Sequence, residues 1–417
     1  MSDAAIKGVE FRRLIAPGEG RALLSAAAAY FALLSGYYML RSLREAFALE
    51  VGREHIASLF YLTFVVMLGV LPLYWFLVAR LPRRALFPVI YSAVVVLFVG
   101  LATAMGNGEV GRVVGAVYFV AVTSLNLFIV SVFWSVMVDA WRSESAKRLF
   151  GFIAAGGSAG AIAGPLFNSL FVESIGPRAT IYVACLLISL AILLGRRAQR
   201  LEADTNARLV LPVGGRAIDD LKRFATSPYL LAIASLIIGG QIIGGFMYQE
   251  QAKYVESAYE TLTSRAALFA RIDLAVNVLS LVFQTVVVGW VASRGGVRHA
   301  LSLVPLLLIG SFVLLVALPV GTVLIATQVF RRALDYGLFK PTREMLFTIL
   351  NPESKFKSKS LIDTLLQRGG DSVSQLAYPL VAGFGLVGVS GVLAGVSVLM
   401  LLMTWWLGQS FDRSKPS

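Results

Sequence analysis

The chain has 417 residues, of which 57% are hydrophobic and only 15% are charged, and its mean hydropathy is +0.77. Soluble domains carry about 25% charged residues, so this composition excludes an ordinary soluble domain. The net charge of +13 would suggest a nucleic-acid partner in a soluble protein, but basic cytoplasmic loops explain it in a membrane protein. We therefore expect no nucleic acid as a partner.

Apolar runs of 18 or more residues recur from end to end, and each is long enough to cross about 30 Å of hydrocarbon. The first run begins near Arg21 and has full length, so we interpret it as an uncleaved membrane span and not as a signal peptide. The sequence predicts twelve transmembrane helices, called spans one to twelve here: 21–43, 56–78, 85–105, 113–138, 148–172, 178–195, 228–249, 266–292, 299–318, 320–339, 359–383 and 387–409.

The lysines and arginines alternate from loop to loop. With the N-terminus in the cytoplasm, 26 of the 37 basic residues fall in cytoplasmic segments, seven in outer loops and helix ends, and four inside spans. This bias follows the positive-inside rule and predicts that both termini are cytoplasmic.

Two pairs of segments indicate an internal repeat. "WFLVARLPRRAL" after span two is similar to "WVASRGGVRHAL" after span eight, with Arg80 matching Arg294 at an offset of 214. In spans five and eleven, Gly156 matches Gly369 at an offset of 213. Chance similarity between basic loops is the alternative, but the Trp and Gly-Gly positions also align.

A repeat of six helices has an even number of crossings, so its two copies run parallel through the membrane. We predict an all-α polytopic membrane protein whose twelve helices form two parallel six-helix halves, as in the major facilitator fold. The predicted division is an N-terminal half over 1–195, a cytoplasmic basic linker over 196–227 and a C-terminal half over 228–417.

Four spans carry charged residues, although each costs about 2.5–3.5 kcal/mol at the centre of a membrane helix. In span one, Tyr37, Arg41, Arg44 and Glu45 share one helical face. In span eight, Asp273 begins a polar stripe that continues through Asn277, Ser280 and Gln284.

Spans ten and eleven repeat the combination of arginine with carboxylate. In span ten the spacing predicts an Arg331–Asp335 pair and, beside it, an Arg332–Tyr336 pair. In span eleven Arg368 and Asp371 stand three residues apart, on one face.

The excess of arginine over carboxylate in these spans favours an anionic ligand, because a guanidinium matches carboxylate or phosphate with two donors. Interhelical salt bridges that only hold the bundle together are the alternative. The carboxylates would pair with the arginines or relay protons. The predicted substrate-binding residues are Tyr37, Arg41, Arg44, Glu45, Asp273, Arg331, Arg332, Asp335, Arg368 and Asp371.

Span five has a different pattern, since Gly156, Gly160 and Gly164 recur every fourth residue. This small-residue face predicts close packing against another helix. A catalytic site is not predicted, because the two histidines and the single cysteine provide neither a metal-ligand cluster nor a catalytic dyad. We accordingly predict no enzyme activity, no metal and no cofactor.

The segments "SGYYMLRSLREAF", "FWSVMVDAW" and "RRALDYGLFKPTREMLFTIL" resemble bacterial members of the ATP/ADP translocase-like branch of the major facilitator superfamily. The resemblance implies a secondary transporter of the bacterial inner membrane that moves an organic anion by rocker-switch alternating access. A nucleotide or another phosphorylated solute is the leading substrate. The alternatives are a flippase for an anionic lipid and a receptor that does not transport. The expected partners are a small anionic solute and the bilayer, and the expected state is a monomer.

Overall fold

The structure is a computed structural model that describes residues 19–105, 111–141, 143–202, 227–288, 296–346 and 366–413. The regular secondary structure of these ranges is all helical, without a strand. Most of the predicted linker, Arg294 and the first residues of predicted span eleven lie outside the described residues.

Every predicted span coincides with a helix over its described part, which confirms the all-α polytopic prediction. Spans one to six are the helices Glu19–Val51, Ile56–Arg80, Arg83–Ala104, Arg112–Ala140 and, for five and six together, Ser143–Glu202. Spans seven to twelve are Pro228–Ala258, Leu262–Val282, Gly296–Ala317, Gly321–Leu334, Gln367–Ala377 and Gly385–Arg413. Smaller elements are a 3-10 turn (Arg53–His55), two π-helical stretches (Phe283–Val288 and Asp335–Phe339) and the helices Lys340–Leu346 and Pro379–Ala382.

Within the described chain, nine helical segments are long and apolar enough to cross a membrane. They comprise spans one to four, spans five and six as one segment of 54 residues, and spans seven, eight, nine and twelve. Span ten falls short because its charges and its π-helical stretch limit the α-helix to 14 residues. Span eleven falls short because its described α-helix has 11 residues.

The boundary between spans five and six is a kink at Gly176. This residue has φ 77° and ψ 168°, a backbone conformation that glycine adopts without the steric cost of a Cβ. Pro177 follows and removes a backbone donor, so the helical hydrogen bonding changes direction here. The kink lies between the two predicted spans, which end at 172 and begin at 178.

The chain divides into two compact units. The first has the bounds Met1–Gly52, Val65–Leu211 and Glu260–Leu274, and the second has Arg53–Phe64, Pro212–Tyr259 and Ala275–Ser417. These bounds differ from the predicted halves in two places, because the start of span eight packs in the first unit and the start of span two in the second. The predicted division at 195 and 227 stays a prediction.

The helices pack in the same pattern inside each unit. In the first unit span one contacts spans four and five, and span three contacts span six. In the second unit span seven contacts spans ten and eleven, and span nine contacts span twelve. Adding six to each number of the first set gives the second set, as a sequence repeat of six helices predicts.

The glycine face of span five packs against the backbone of span one, which confirms the predicted close approach. A Cβ added at Gly156 would lie 2.5 Å from the carbonyl oxygen of Ala27, and Gly160 and Gly164 are closer still to the next two turns of span one. Ser35 also donates a hydrogen bond of 3.3 Å to the Gly160 carbonyl oxygen. Any side chain on this face would therefore force the two helices apart.

Candidate functional site

The first unit brings together two predicted residues from different spans, Arg41 of span one and Asp273 of span eight. Arg41 Nε lies 3.8 Å from Asp273 Oδ2, and Asp273 is only 3% exposed. The Arg41 guanidinium also lies over the Tyr38 ring, 5.4 Å from its centroid, and Tyr37 packs edge-on against Tyr38. Sequence spacing does not predict this pairing, because it relates residues only within one helix.

A second arginine of span one is held one turn further along. Arg44 pairs with the adjacent Glu45 and donates a hydrogen bond of 3.3 Å to Thr123 Oγ1 on span four. Its guanidinium lies 5.3 Å from the centroid of the Phe119 ring. The Arg44 and Glu45 side chains are only 12% and 11% exposed, so this pair is largely removed from water.

The end of span one makes another ion pair with span eight in the same unit. Arg265 Nη1 lies 3.1 Å from Glu50 Oε1. Together with Arg41–Asp273, this pair holds the C-terminal part of span one against the start of span eight. In the predicted topology these parts lie on the outer side of the membrane. Both contacts explain why residues 260–274 pack with the first unit.

In the second unit, span ten carries Arg331 and Arg332 side by side, and both side chains are half-buried. Arg331 Nε donates a hydrogen bond of 2.9 Å to Gln328 Oε1, one turn earlier. Asp335, Tyr336 and Asp371 lie within electrostatic range of Arg331.

The Asp335 carboxylate lies near more than one cation. It attracts Arg331 electrostatically, and its Oδ2 lies 3.4 Å from Lys340 Nζ; Lys340 also lies 4.2 Å from the centroid of the Tyr336 ring. The contact with Lys340 follows from the π-helical stretch that begins at Asp335, since its wider turn brings residues five apart into register. The Arg332–Tyr336 pairing stays a prediction.

The polar stripe of span eight divides between two tasks. Asp273 pairs with Arg41 in the first unit, whereas Gln284 Nε2 donates to the Tyr336 carbonyl oxygen at 3.1 Å and Ser280 Oγ to that of Ala333 at 3.5 Å in the second. Carbonyl groups at a π-helical stretch need such donors, because the regular hydrogen-bond ladder is interrupted there. Ser280 and Gln284 are thus structural residues.

Asp371 of span eleven accepts a hydrogen bond from Gln241 Nε2 of span seven, and Gln241 Nε2 also lies 2.8 Å from the Gln367 carbonyl oxygen. Gly370 permits this approach, since a Cβ there would lie 3.0 Å from Gln241 Cγ. Arg368 belongs to the same helix, but its side chain lies outside the described residues. The predicted Arg368–Asp371 pair therefore stays a prediction.

Sequence reasoning missed a buried polar network between spans seven and eleven. Glu250 Oε1 accepts a hydrogen bond of 2.7 Å from the Tyr378 hydroxyl, and Gln249 Nε2 donates one of 2.6 Å to Gln375 Oε1. Glu250 is 3% exposed and Gln249 is 6% exposed. The available signal was the run "YQEQ" at the end of an apolar span, which a search for arginine clusters overlooks.

Comparison with known proteins shows what the chain is similar to. Residues 297–411 match the family model described as TLC ATP/ADP transporter. A search of curated proteins found no match. Among solved structures, a POT family transporter in complex with a thioalcohol-conjugated peptide has a TM-score of 0.67 at 10% identity, covering 96% of this chain and 99% of its own.

A bacterial homologue of the human lysosomal transporter Spinster, in an inward-facing and unoccupied conformation, has a TM-score of 0.61 at 14% identity, covering 96% of this chain and 99% of its own. A nucleoside transporter has a TM-score of 0.61 at 11% identity, covering 95% and 100%. These similarities show the fold. The C-terminal part of the chain is therefore similar to the TLC ATP/ADP transporter family, and the chain as a whole shares the fold of these solved transporters. The matched family and these structures are described as transporters.

The two charged clusters of the chain differ in their balance of charge. In the first unit Arg41 and Arg44 each have a carboxylate partner, Asp273 for Arg41 and Glu45 for Arg44. In the second unit the ion pair of Asp335 is with Lys340, and the described hydrogen bond of Arg331 goes to uncharged Gln328, while Asp335 and Asp371 act on Arg331 from a longer range. Local positive charge is therefore in excess around span ten.

Proposed function

We propose that this transporter moves an organic anion, with a nucleotide or another phosphorylated solute as the leading substrate, across the bacterial inner membrane. The match to an ATP/ADP transporter family over residues 297–411 supports the substrate class. The matched segment includes span ten, where positive charge is in excess. The proposed orientation places both termini in the cytoplasm, as the distribution of basic residues favours.

The observation that carries the proposal is the environment of Arg331. Its guanidinium is half-buried in a span, and its hydrogen bond among the described residues goes to neutral Gln328. An ionised group taken out of water is costly unless it is paired, so this site favours binding of an anion. A guanidinium can donate two parallel charge-assisted hydrogen bonds to two oxygens of one phosphate group, so a phosphorylated anion suits this site.

Arg332 and Lys340 add positive charge within nine residues of Arg331 along the chain. Lys340 shares its charge with Asp335 and with the face of the Tyr336 ring. Asp371, held by Gln241, lies within electrostatic range of Arg331 and would orient its guanidinium before the anion binds. We assign Arg331 and Arg332 to anion binding and Asp335 and Asp371 to positioning.

The arginines of the first unit have a different proposed role. An anion that binds Arg41 must compete with Asp273, and an anion that binds Arg44 must compete with Glu45. Such competition would let substrate binding loosen the contact between spans one and eight. In the proposed rocker-switch cycle, Arg41 and Arg44 exchange their carboxylate partners for the anion as access alternates between the two sides. The Tyr37–Tyr38 ring pair lies beside Arg41.

A thermal-stability screen of the purified full chain tests the anion site. We expect ATP, ADP or another phosphorylated anion to raise the unfolding temperature, because a ligand at a hundred times its Kd stabilises the native state by about 2.7 kcal/mol. Arg331→Gln should abolish that increase. Arg271→Gln is the matched control, since Arg271 is an exposed arginine within span eight. If Arg331→Gln and Arg271→Gln respond alike to every anion, Arg331 is not part of a binding site.

A further inference from the structure

Arg298, at the start of span nine, is not part of the proposed anion site. Its guanidinium stacks on the Trp405 ring of span twelve, with 3.3 Å between the guanidinium carbon and the ring centroid. The imidazole of His299 packs edge-on against the same ring, 6.3 Å between centroids. Arg298 also meets span twelve at Gly408, where an added Cβ would lie 2.5 Å from Arg298 Cβ. Span nine thus holds a guanidinium against the end of span twelve.

This arrangement leaves hydrogen-bond donors of Arg298 for a ligand. A guanidinium that stacks on an aromatic face keeps its N–H groups around its edge, in its own plane. Arg298 Nε is buried and has no hydrogen-bond partner among the described residues. One turn further along span nine, Ser302 is only 7% exposed, and its hydroxyl also lacks a partner within the described chain. Buried donors without acceptors are unfavourable, and an acceptor oxygen between the two side chains would satisfy both.

The composition of the two helices favours an anion as that acceptor. Neither 296–317 of span nine nor 385–411 of span twelve contains an aspartate or a glutamate. The first acidic residue at this end of span twelve is Asp412, whose side chain lies outside the described residues. Arg413, which follows it in the last turn, is exposed and adds a second cation.

The Arg298 guanidinium also lies at the edge of a surface that faces lipid. Leu399, Leu402, Trp405 and Trp406 are exposed apolar side chains near the end of span twelve. In a membrane helix such side chains contact acyl chains, and tryptophans near the end of a span lie at the level of the headgroups. Arg298 directly precedes predicted span nine and so lies at the same level. A lipid whose chains cover Leu399 and Leu402 would place its phosphate beside Arg298.

We propose that Arg298, Ser302 and Trp405 form a binding site for an anionic phospholipid. Arg298 donates to the phosphate, the Ser302 hydroxyl donates to an oxygen of the same headgroup, and the Trp405 ring holds the guanidinium in place. In the predicted orientation this site faces the cytoplasmic leaflet, where basic pockets between helices bind anionic headgroups. The bound lipid joins the ends of spans nine and twelve, and its binding does not depend on the proposed transport.

Native mass spectrometry of the purified full chain, titrated with phosphatidylglycerol in micelles, tests the site. We expect Arg298→Gln to weaken binding of this lipid about tenfold, because a charge-assisted hydrogen bond is lost. Arg80→Gln is the matched control and should bind like the wild type. Arg80 also lies over an aromatic ring at the end of a span, 5.0 Å from the Phe76 centroid, but it is exposed. Equal losses in the two variants would indicate non-specific attraction to basic residues and overturn the proposal.

Two other ligands test the chemistry that the site selects. Phosphatidylcholine has a phosphate but no net charge, and we expect it to bind about fivefold more weakly, the contribution of one basic residue to attraction of an anionic headgroup. Equal binding of both lipids would contradict selection for negative charge. An excess of inorganic phosphate should leave phosphatidylglycerol bound. Displacement of the lipid by phosphate would indicate a site for a free anion and overturn the proposal.

Further variants keep the test decisive if Arg298→Gln does not fold. Ser302→Ala removes a neutral hydrogen bond and should weaken phosphatidylglycerol binding about threefold. Arg298→Lys keeps the charge but not the planar group that stacks on Trp405, so it should also bind this lipid more weakly. Wild-type affinity in both variants would overturn the proposal. Asp412→Asn should leave the affinity unchanged, and a large rise would show that Arg298 binds Asp412 and not a lipid.

Tryptophan quenching by phosphatidylglycerol with brominated acyl chains locates the bound lipid. At equal fractions in liposomes, this lipid should quench more emission than brominated phosphatidylcholine, and the excess should be lost in Trp405→Phe. Trp134→Phe is the control and should keep the excess, because Trp134 lies on span four in the first unit. An excess that persists in Trp405→Phe would place the lipid elsewhere and overturn the proposal.

Discussion

Replacement of Gly156 by alanine tests the packing on which the first unit depends. The added Cβ would lie 2.5 Å from the Ala27 carbonyl oxygen and 3.0 Å from its carbon, whereas ordinary van der Waals contact begins at 3.4 Å. Spans one and five would have to separate by roughly 0.9 Å, and backbone atoms cannot move aside as a flexible side chain can. Overpacking of this kind costs about 1–3 kcal/mol.

Gly151→Ala is the matched control for this substitution. Gly151 lies on the same helix, and a Cβ there would meet nothing within 4 Å. Both substitutions gain the same helix propensity, up to about 1 kcal/mol, so their difference isolates the contact with span one. Equilibrium unfolding of the purified variants in mixed micelles, followed by tryptophan fluorescence, measures that difference. Equal free energies of unfolding for the two variants would refute the close packing.

Three further substitutions test other contacts. Glu45→Gln should lower the free energy of unfolding by roughly 1.5–3 kcal/mol, because Arg44 loses a charged partner in a place largely removed from water. Glu54→Gln, at an exposed glutamate, should have little effect. Equal losses of stability in the two variants would contradict a stabilising Arg44–Glu45 pair. Asn168→Ala should cost roughly 1–2 kcal/mol, since the buried Asn168 amide donates to the Met39 carbonyl oxygen at 2.8 Å and to Ser42 Oγ at 2.6 Å. Ser169→Ala is its control, because the Ser169 hydroxyl bonds within its own helix, to the Leu166 carbonyl oxygen. No loss in Asn168→Ala would show that the hydrogen bonds of Asn168 are dispensable. Arg331→Lys should keep part of the anion-dependent rise in unfolding temperature that Arg331→Gln loses, because lysine supplies the charge but not the planar pair of donors. If both variants keep the full rise, the anion does not bind a guanidinium at position 331.

Hydrophobic periodicity and charge were sufficient to predict the helices and the fold. Apolar length located the spans, and the small-residue spacing located the face of span five that packs against span one. Both predictions depend on properties of a single helix, which sequence records directly.

Contacts between helices were not predictable in the same way. The helical periodicity of span one places Arg41 on the same face as Tyr37 and Glu45, but only the packing of the helices shows that Asp273 is its partner. Helical spacing also did not predict the ion pair between Asp335 and Lys340, because the π-helical stretch in span ten brings residues five apart together. Glu250 and Tyr378 are 128 positions apart, so no local pattern relates them.

The central claim is that the protein transports an anion through a site that requires Arg331. Uptake of labelled ATP, ADP, sugar phosphates and dicarboxylates into liposomes preloaded with the same unlabelled anions measures this most directly. We predict that the wild type and Arg271→Gln accumulate at least one phosphorylated anion and that Arg331→Gln accumulates none. A folded wild-type protein that takes up no anion, or an Arg331→Gln variant that transports as fast as the wild type, would contradict the claim.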